Sequence, residues 1–136
     1  MTKGKVVLVP FPFDDLSTTK VRPAVCLTNP IGPHRHVILS FISSRIPYDL
    51  LEMDLVLDSR ESDFAITGLQ VSSTLRLHRL MTVTTGLIRR ELGELSFRMQ
   101  TEVVDKLQKL FNIPRINQVS KKICDKRDPG FKGSSA

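Results

Sequence analysis

The 136-residue sequence has no tryptophan, a single tyrosine and only two cysteines. The scarcity of aromatic side chains leaves few flat surfaces on which bases could stack. Cys26 lies in an apolar run and Cys124 in a polar one, so the pair forms neither a disulfide framework nor the spacing of a metal site. We therefore expect a reducing, cytoplasmic location and no bound metal or cofactor.

Long apolar runs are also absent. The run 6–13 is interrupted by Pro10 and Pro12 and is followed at once by Asp14 and Asp15. Such a run is too short for a membrane span or a signal peptide. The sequence therefore predicts no membrane association.

The composition fits one folded domain with an unstructured end. With 40% hydrophobic residues, the chain can bury a single core. Beyond Arg115 the apolar periodicity stops, and charged residues mix with glycine, serine and proline, a composition typical of disorder. We predict one domain over residues 1–114 and a basic, disordered tail over 115–136.

Positive charge is unevenly distributed. The net charge is +6, yet most of it belongs to the tail, so the total says little about the domain. Within the domain, residues 49–63 are acidic, whereas the first 48 residues carry basic side chains against only Asp14 and Asp15. These basic side chains are Lys3, Lys5, Lys20, Arg22, Arg35 and Arg45. An anionic partner such as nucleic acid fits this part of the chain.

Short apolar stretches predict a protein made largely of strands. Strands are expected at 6–11, 23–28, 36–43 and 53–57, with a helical turn over 58–64. The alternating segment 69–83 predicts two strands or one bent strand. A short helix is expected over 85–92, stopped by Gly93.

One amphipathic helix follows, with Ser96 as its N-cap and Pro114 as its end. Its apolar face is formed by Val103, Val104, Leu107, Leu110 and Phe111. Many short strands followed by one such helix predict an α+β protein: a small SH3-like β-barrel with a C-terminal amphipathic helix.

A basic corner separates the first two strands. Lys20 and Arg22 follow the polar loop 14–19 and precede an apolar strand that begins at Pro23. A guanidinium offers two parallel donors to phosphate oxygens and stays charged. Alternatively, Arg22 pairs with Asp14 or Asp15 at a loop corner.

This order of strand, loop, basic corner and strand, over Gly4 to Asn29, resembles the MazF/PemK family of toxin endoribonucleases. A second matching segment is the apolar strand Val37 to Ile46, in which Ser43 occupies the position of a family Thr or Ser that serves catalysis. A third runs from Gly68 to Leu77, and segments 79–83 and 88–96 follow it. The resemblance implies a barrel of the MazF/CcdB type.

The resemblance also implies metal-independent cleavage of single-stranded RNA. The 2′-hydroxyl attacks the adjacent phosphate and leaves a 2′,3′-cyclic phosphate and a 5′-hydroxyl. Arg22 and Ser43 are then the catalytic candidates, Arg22 as the group that stabilises charge on the phosphorane. A serine without a base is a poor proton acceptor. Alternatively, Ser43 is only a strand end whose hydroxyl satisfies local backbone groups. The general base stays open, because some members have an acidic residue closer to the basic corner than Asp14 and Asp15.

Further side chains are candidates for RNA binding. They are Lys20, Ser17, Thr18, Phe13, Ser44, Arg45, Arg76 and His36. Each has a plainer alternative: solvation for the charged groups, local backbone hydrogen bonds for the hydroxyls, loop anchoring for Phe13 and a surface role for His36. The three histidines have no metal-site spacing.

The expected partners are single-stranded messenger RNA, a second copy of the chain in a homodimer, and a cognate antitoxin with an acidic, disordered segment. Two other functions compete with this reading. One is a non-catalytic nucleic-acid-binding barrel. The other is a gyrase-poisoning toxin of related fold, which would rely on an aromatic C-terminus, whereas this chain ends without tryptophan.

Overall fold

The computed structural model describes residues 2–10 and 20–112. Together they contain six strands and one α-helix, with 3₁₀ turns at Ala65–Thr67 and Thr85–Leu87. The strands are β1 (Lys5–Pro10), β2 (Val21–Cys26), β3 (His36–Ser43), β4 (Asp54–Leu57), β5 (Ser73–Thr84) and β6 (Arg90–Glu94), and helix α1 is Phe97–Phe111. The range predicted for β3 is confirmed, and β2 begins two residues earlier than the sequence predicted.

All six strands belong to one antiparallel sheet in the order β4-β5-β3-β2-β1-β6. The sheet curls into a half-barrel, and α1 packs against one of its faces. This architecture confirms the predicted α+β class and the SH3-like barrel with a C-terminal helix. The segment predicted as two strands or one bent strand is the single strand β5, which bends where its register with β3 shifts.

Side chains from the two faces of the sheet form two separate cores. On the face under the helix, Val6, Val25 and Leu75 pack with Met99 and Val103 of α1. The opposite face has its own cluster, which contains Val7, Val9, Ala24, Cys26, Val37, Leu39, Phe41 and Val83. Each fully buried aliphatic side chain contributes roughly 1.5–3 kcal/mol to folding. Two-sided burial explains why β3 reads as a nearly continuous apolar run.

Ser96 caps the helix as predicted. Its Oγ accepts a hydrogen bond from the Met99 amide at 3.1 Å and donates one to Asp63 at 2.6 Å. Arg98, together with Ser96, lowers the pKa of Asp63 to about 2. The helix ends at Phe111, before Pro114, because Asn112 adopts the left-handed conformation (φ 55°) that closes a helix C-terminus.

The helix predicted over 85–92 is wrong. A single 3₁₀ turn is followed by β6, whose residues Glu91 and Arg90 pair with Val7 and Leu8 of β1. Backbone pairing with β1 outweighs the local helical preference of the segment. Gly93 is not a helix stop. It lies so close to the turn at 65–67 that a Cβ on it would stand 2.1 Å from the Ile66 carbonyl oxygen.

Gly93→Ala should therefore destabilise the protein by about 1–3 kcal/mol, the usual cost of forcing an extra carbon into a packed site. Gly86→Ala is the matched control, because a Cβ there would meet only the Thr84 hydroxyl at 3.8 Å. The free energies of unfolding of both variants and of the wild type are measured by urea denaturation. Equal stability of the two variants would contradict the close packing of β6 on the turn.

Candidate functional site

Three polar side chains line up across the sheet at one end. Ser43, the last residue of β3, pairs with Thr74 of β5. The pairing of β2 with β3 ends at Ala24 and Phe41, and Arg22 and Ser43 each lie two residues beyond this pair, on the same face as it. Directly opposite residues of an antiparallel pair share a face. Arg22, Ser43 and Thr74 therefore form a row, called the polar row below, on the face opposite helix α1.

Arg22 is half-buried at the start of β2, opposite Val9 of β1. Ala24, two residues further along β2, and Val9, the partner of Arg22 across the sheet, are both buried in the apolar cluster of this face. This packing holds the backbone of β2 next to Arg22, so the guanidinium lies at the edge of a packed apolar surface. The alternative pairing of Arg22 with Asp14 or Asp15 involves residues outside the described part of the chain.

The chain turns sharply after Ser43, and two hydrogen bonds hold the turn. The Arg45 amide donates to Ser43 Oγ at 3.2 Å, and Thr74 Oγ1 donates to the Arg45 carbonyl at 2.9 Å. Ser43 Oγ thus acts as an acceptor inside the turn. Within residues 2–10 and 20–112 its own hydrogen is donated to no acceptor, so this hydrogen can be offered to an anion.

A buried ion pair lies beside the polar row. Arg76 Nε donates to Asp54 Oδ1 at 2.8 Å, and the Leu51 amide donates to Asp54 Oδ2 at 2.9 Å. The Asp54 side chain is fully buried, whereas that of Arg76 is 23% exposed. Arg76 is two residues beyond Thr74 and shares its face. The carboxylate fixes the guanidinium through Nε, and among the described residues the two terminal nitrogens of Arg76 have no partner.

The other candidates from the sequence are only partly brought together. Lys20 precedes β2, and Ser44 and Arg45 follow β3, all three exposed near the polar row. His36 lies at the opposite end of β3, roughly 20 Å from Ser43 at the usual rise per residue. Phe13, Ser17 and Thr18 lie outside the described residues. The RNA-binding roles of all these side chains remain predictions.

The positive surface differs from the one expected from the sequence. Arg35 lies in the turn before β3, next to His36, and so belongs to the far end of the sheet. Arg76 takes its place near the polar row. Four basic residues predicted for catalysis or RNA binding lie at this end of the sheet: Lys20, Arg22, Arg45 and Arg76.

Sequence reasoning gave no role to Thr74 or Asp54. Thr74 lies within the segment Gly68 to Leu77, but its alignment with Ser43 depends on a strand register that no local pattern reveals. The burial of Asp54 could have been predicted from the sequence. This residue opens the otherwise apolar strand Asp54–Leu57, and a carboxylate in such a position is buried only if it is paired.

Cys26 is buried on the same face, and burial is the main cause that raises the pKa of its thiol to about 11. Glu91 adds to the increase. A protonated thiol is a poor nucleophile, so Cys26 acts as a core residue. The described residues include no group of three or more His, Cys, Asp or Glu side chains placed to hold a metal ion. None of their helices is long and apolar enough to cross a membrane.

A family model described as "PemK-like, MazF-like toxin of type II toxin-antitoxin system" matches residues 2–111. The chain therefore belongs to the PemK/MazF-like toxins, and the predicted resemblance is confirmed. No curated protein sequence matches the chain.

Solved structures show the same fold. The toxin MazF-mt6 of Mycobacterium tuberculosis superimposes with a TM-score of 0.63 at 18% identity, covering 82% of this chain and 99% of that one. A mycobacterial endoribonuclease in complex with its cognate antitoxin gives 0.61 at 12% identity, covering 85% and 98%. MazF from Deinococcus radiodurans gives 0.59 at 18% identity, covering 83% and 97%. At these identities the likeness shows the fold alone.

Proposed function

We propose that the protein is the toxin of a type II toxin-antitoxin pair and cleaves single-stranded RNA without a metal ion. The products would be a 2′,3′-cyclic phosphate and a 5′-hydroxyl. The observation that carries the proposal is that Arg22 and Ser43 lie on one face of adjacent strands, each two residues beyond the pair Ala24 and Phe41, at the end of the sheet where Arg45 and Arg76 also lie. Membership of the toxin family supports it, as does the fold shared with named endoribonucleases.

Attack by the 2′-hydroxyl gathers negative charge on the phosphorane oxygens. Arg22 would face this charge with the two parallel donors of its guanidinium. A fixed donor of this kind gains strength as the charge develops and needs no rearrangement during the reaction. The packed strand beneath Arg22 supplies that rigidity.

Ser43 acts as a hydrogen-bond donor rather than as the general base. The Arg45 amide occupies one lone pair of its Oγ, which directs the hydroxyl hydrogen away from the turn. The hydrogen then binds a phosphate oxygen or orients the attacking hydroxyl. Lys20, Ser44, Arg45 and Arg76 flank this point and would hold the RNA backbone on either side of the cleaved bond.

Arg22→Ala should reduce RNA cleavage by at least ~100-fold, the scale of losing one transition-state donor. Lys109→Ala removes a positive charge from helix α1, which packs on the other face of the sheet, and should leave cleavage unchanged. Cleavage is followed in EDTA on a single-stranded RNA, with product ends identified by mass spectrometry and folding checked by circular dichroism. Cleavage by Arg22→Ala at the normal rate would remove Arg22 from the mechanism, and wild-type protein that binds RNA but never cuts it would favour a non-catalytic barrel.

We also propose that a cognate antitoxin covers the same surface with an acidic segment. Lys20, Arg22, Arg45 and Arg76 offer one positive surface to carboxylates and phosphates alike. Antitoxin and RNA should compete, and the inhibition should weaken as salt is raised, because these charges are partly exposed.

The competition is measured by titrating the protein with the product of the neighbouring open reading frame, while RNA cleavage and RNA binding are followed together. Arg45→Glu should weaken the inhibition, whereas Lys109→Glu, on the helix side, should not. An antitoxin that abolishes cleavage while RNA still binds at full affinity would rule out the shared surface.

A homodimer is the third element of the proposal. Phe97, Val104 and Phe111 of α1 are 87%, 48% and 56% exposed, and they line a largely apolar cavity of about 440 Å³ between the helix, the end of β2 and the residues just before β1. Apolar surface of this kind marks an interface more often than free solvent-facing surface. Light scattering at micromolar concentration should report twice the monomer mass. A Phe97→Glu variant should shift the equilibrium toward monomer, and a wild-type protein that is monomeric throughout would contradict the proposal.

A further inference from the structure

We propose that Thr74 is a positioning residue for Ser43, which it aligns through the backbone of Arg45 without touching the RNA. The inference rests on the proposed function, because it assigns a role within the same RNA-cleavage site. It begins from a hydroxyl that is fully buried at one end of the polar row, next to Ser43.

Burial excludes Thr74 from direct contact with substrate. Its side chain is 0% exposed, between Ser43 of β3 on one side and Val56 of β4 on the other. A buried hydroxyl must find a partner. Thr74 finds it outside the strands, in the carbonyl of Arg45, although Arg45 itself is exposed to solvent.

The two hydrogen bonds of the turn act on the same residue. Thr74 Oγ1 holds the Arg45 carbonyl at 2.9 Å, and the Arg45 amide reaches Ser43 Oγ at 3.2 Å. Both ends of the Arg45 backbone are therefore fixed relative to the sheet. Because a β-branched side chain has few rotamers and a buried one cannot swing aside, Thr74 is a stiff support for the turn.

Loss of the Thr74 hydroxyl would leave the Arg45 carbonyl without its partner. The carbonyl would turn toward water, and the Arg45 amide would leave Ser43 Oγ. The Ser43 hydroxyl would then rotate freely instead of pointing at the phosphate. Displacement of a reacting group by about 1 Å costs up to about 100-fold in rate, so a side chain that never meets the substrate can control the chemical step.

The chain provides a matched control in Thr67. It too is fully buried, and its Oγ1 donates to the Phe64 carbonyl at 2.7 Å. Thr67 lies in the 3₁₀ turn that packs against β6, not in the polar row. Replacement of either threonine by valine removes a buried hydroxyl that donates to a backbone carbonyl, and at Thr67 it also removes the acceptor of the Leu69 amide. Only the replacement at Thr74 should change catalysis.

The test compares Thr74→Val, Thr74→Ser and Thr67→Val in the full chain. Single-turnover cleavage in EDTA reports the chemical step, and binding of the same RNA with a 2′-deoxy group at the cleaved position reports affinity. Thr74→Val should slow cleavage by about 10- to 100-fold, with affinity unchanged within about twofold. Thr74→Ser should restore most of the rate, because it restores the hydroxyl. Thr67→Val should cleave RNA at the wild-type rate, even if its unfolding midpoint falls by as much as that of Thr74→Val.

A double-mutant cycle decides whether Thr74 acts through Ser43. In a Ser43→Ala background, Thr74→Val should have little further effect, because the group that it positions is already gone. Multiplicative losses, or normal cleavage by folded Thr74→Val, would overturn the inference while leaving the proposed function in place. Should Thr74→Val fail to fold, Thr74→Cys, whose thiol is only a weak donor, takes its place under the same criteria. A wild-type protein that leaves RNA intact would overturn both this inference and the proposed function.

Discussion

The register of β3 with its two neighbours is the constraint on which the rest of the structure depends. Val37, Leu39 and Phe41 of this strand enter one core, and Ile42 enters the other. A slip of one residue would turn every one of these side chains to the wrong face. Apolar packing over the length of β3 therefore fixes Ser43 opposite Thr74 and, through β2, on the same face as Arg22. Hydrophobic burial sets the backbone positions of the polar row, and the hydrogen bonds at Arg45 act only on how the Ser43 hydroxyl is oriented.

The irregularity in β5 has a complementary effect. Ser40 pairs with Leu80, but Ile42 pairs with Leu75, so extra residues of β5 bulge out between these two points. At the start of the bulge the Arg76 carbonyl accepts a hydrogen bond from Ser40 Oγ at 2.7 Å, while Asp54 binds its side chain. Arg76 is therefore held through both its main chain and its side chain. Bulges commonly re-aim side chains at functional sites, and this one lies directly beside the polar row.

The elements that the sequence predicted best are those with a local physical cause. Two-sided burial marks β3, and the serine hydroxyl at position 96 marks the start of α1. The helix expected over 85–92 failed because its decisive interactions, the pairing with β1 and the contact of Gly93 with Ile66, join residues far apart in the chain. The residues of the candidate site also differ in how far the sequence could indicate them. Arg22 and Ser43 were proposed from a family resemblance, whereas the pairing of Thr74 with Ser43 and of Asp54 with Arg76 depends on cross-strand partners that the sequence does not specify.

The described part of the site is rich in donors and poor in bases. Arg22, Arg76 and the Ser43 hydroxyl are donor groups, whereas the carboxylate that pairs with Arg76, Asp54, is buried and already accepts from Arg76 and the Leu51 amide. Such a surface stabilises negative charge without taking up protons, which is what a phosphorane requires of its surroundings. Fixed donors do not distinguish strongly between phosphate and carboxylate oxygens. On the proposed function, the arrangement that makes the site catalytic also makes it open to inhibition by an acidic peptide, so control by an antitoxin would need no separate binding surface.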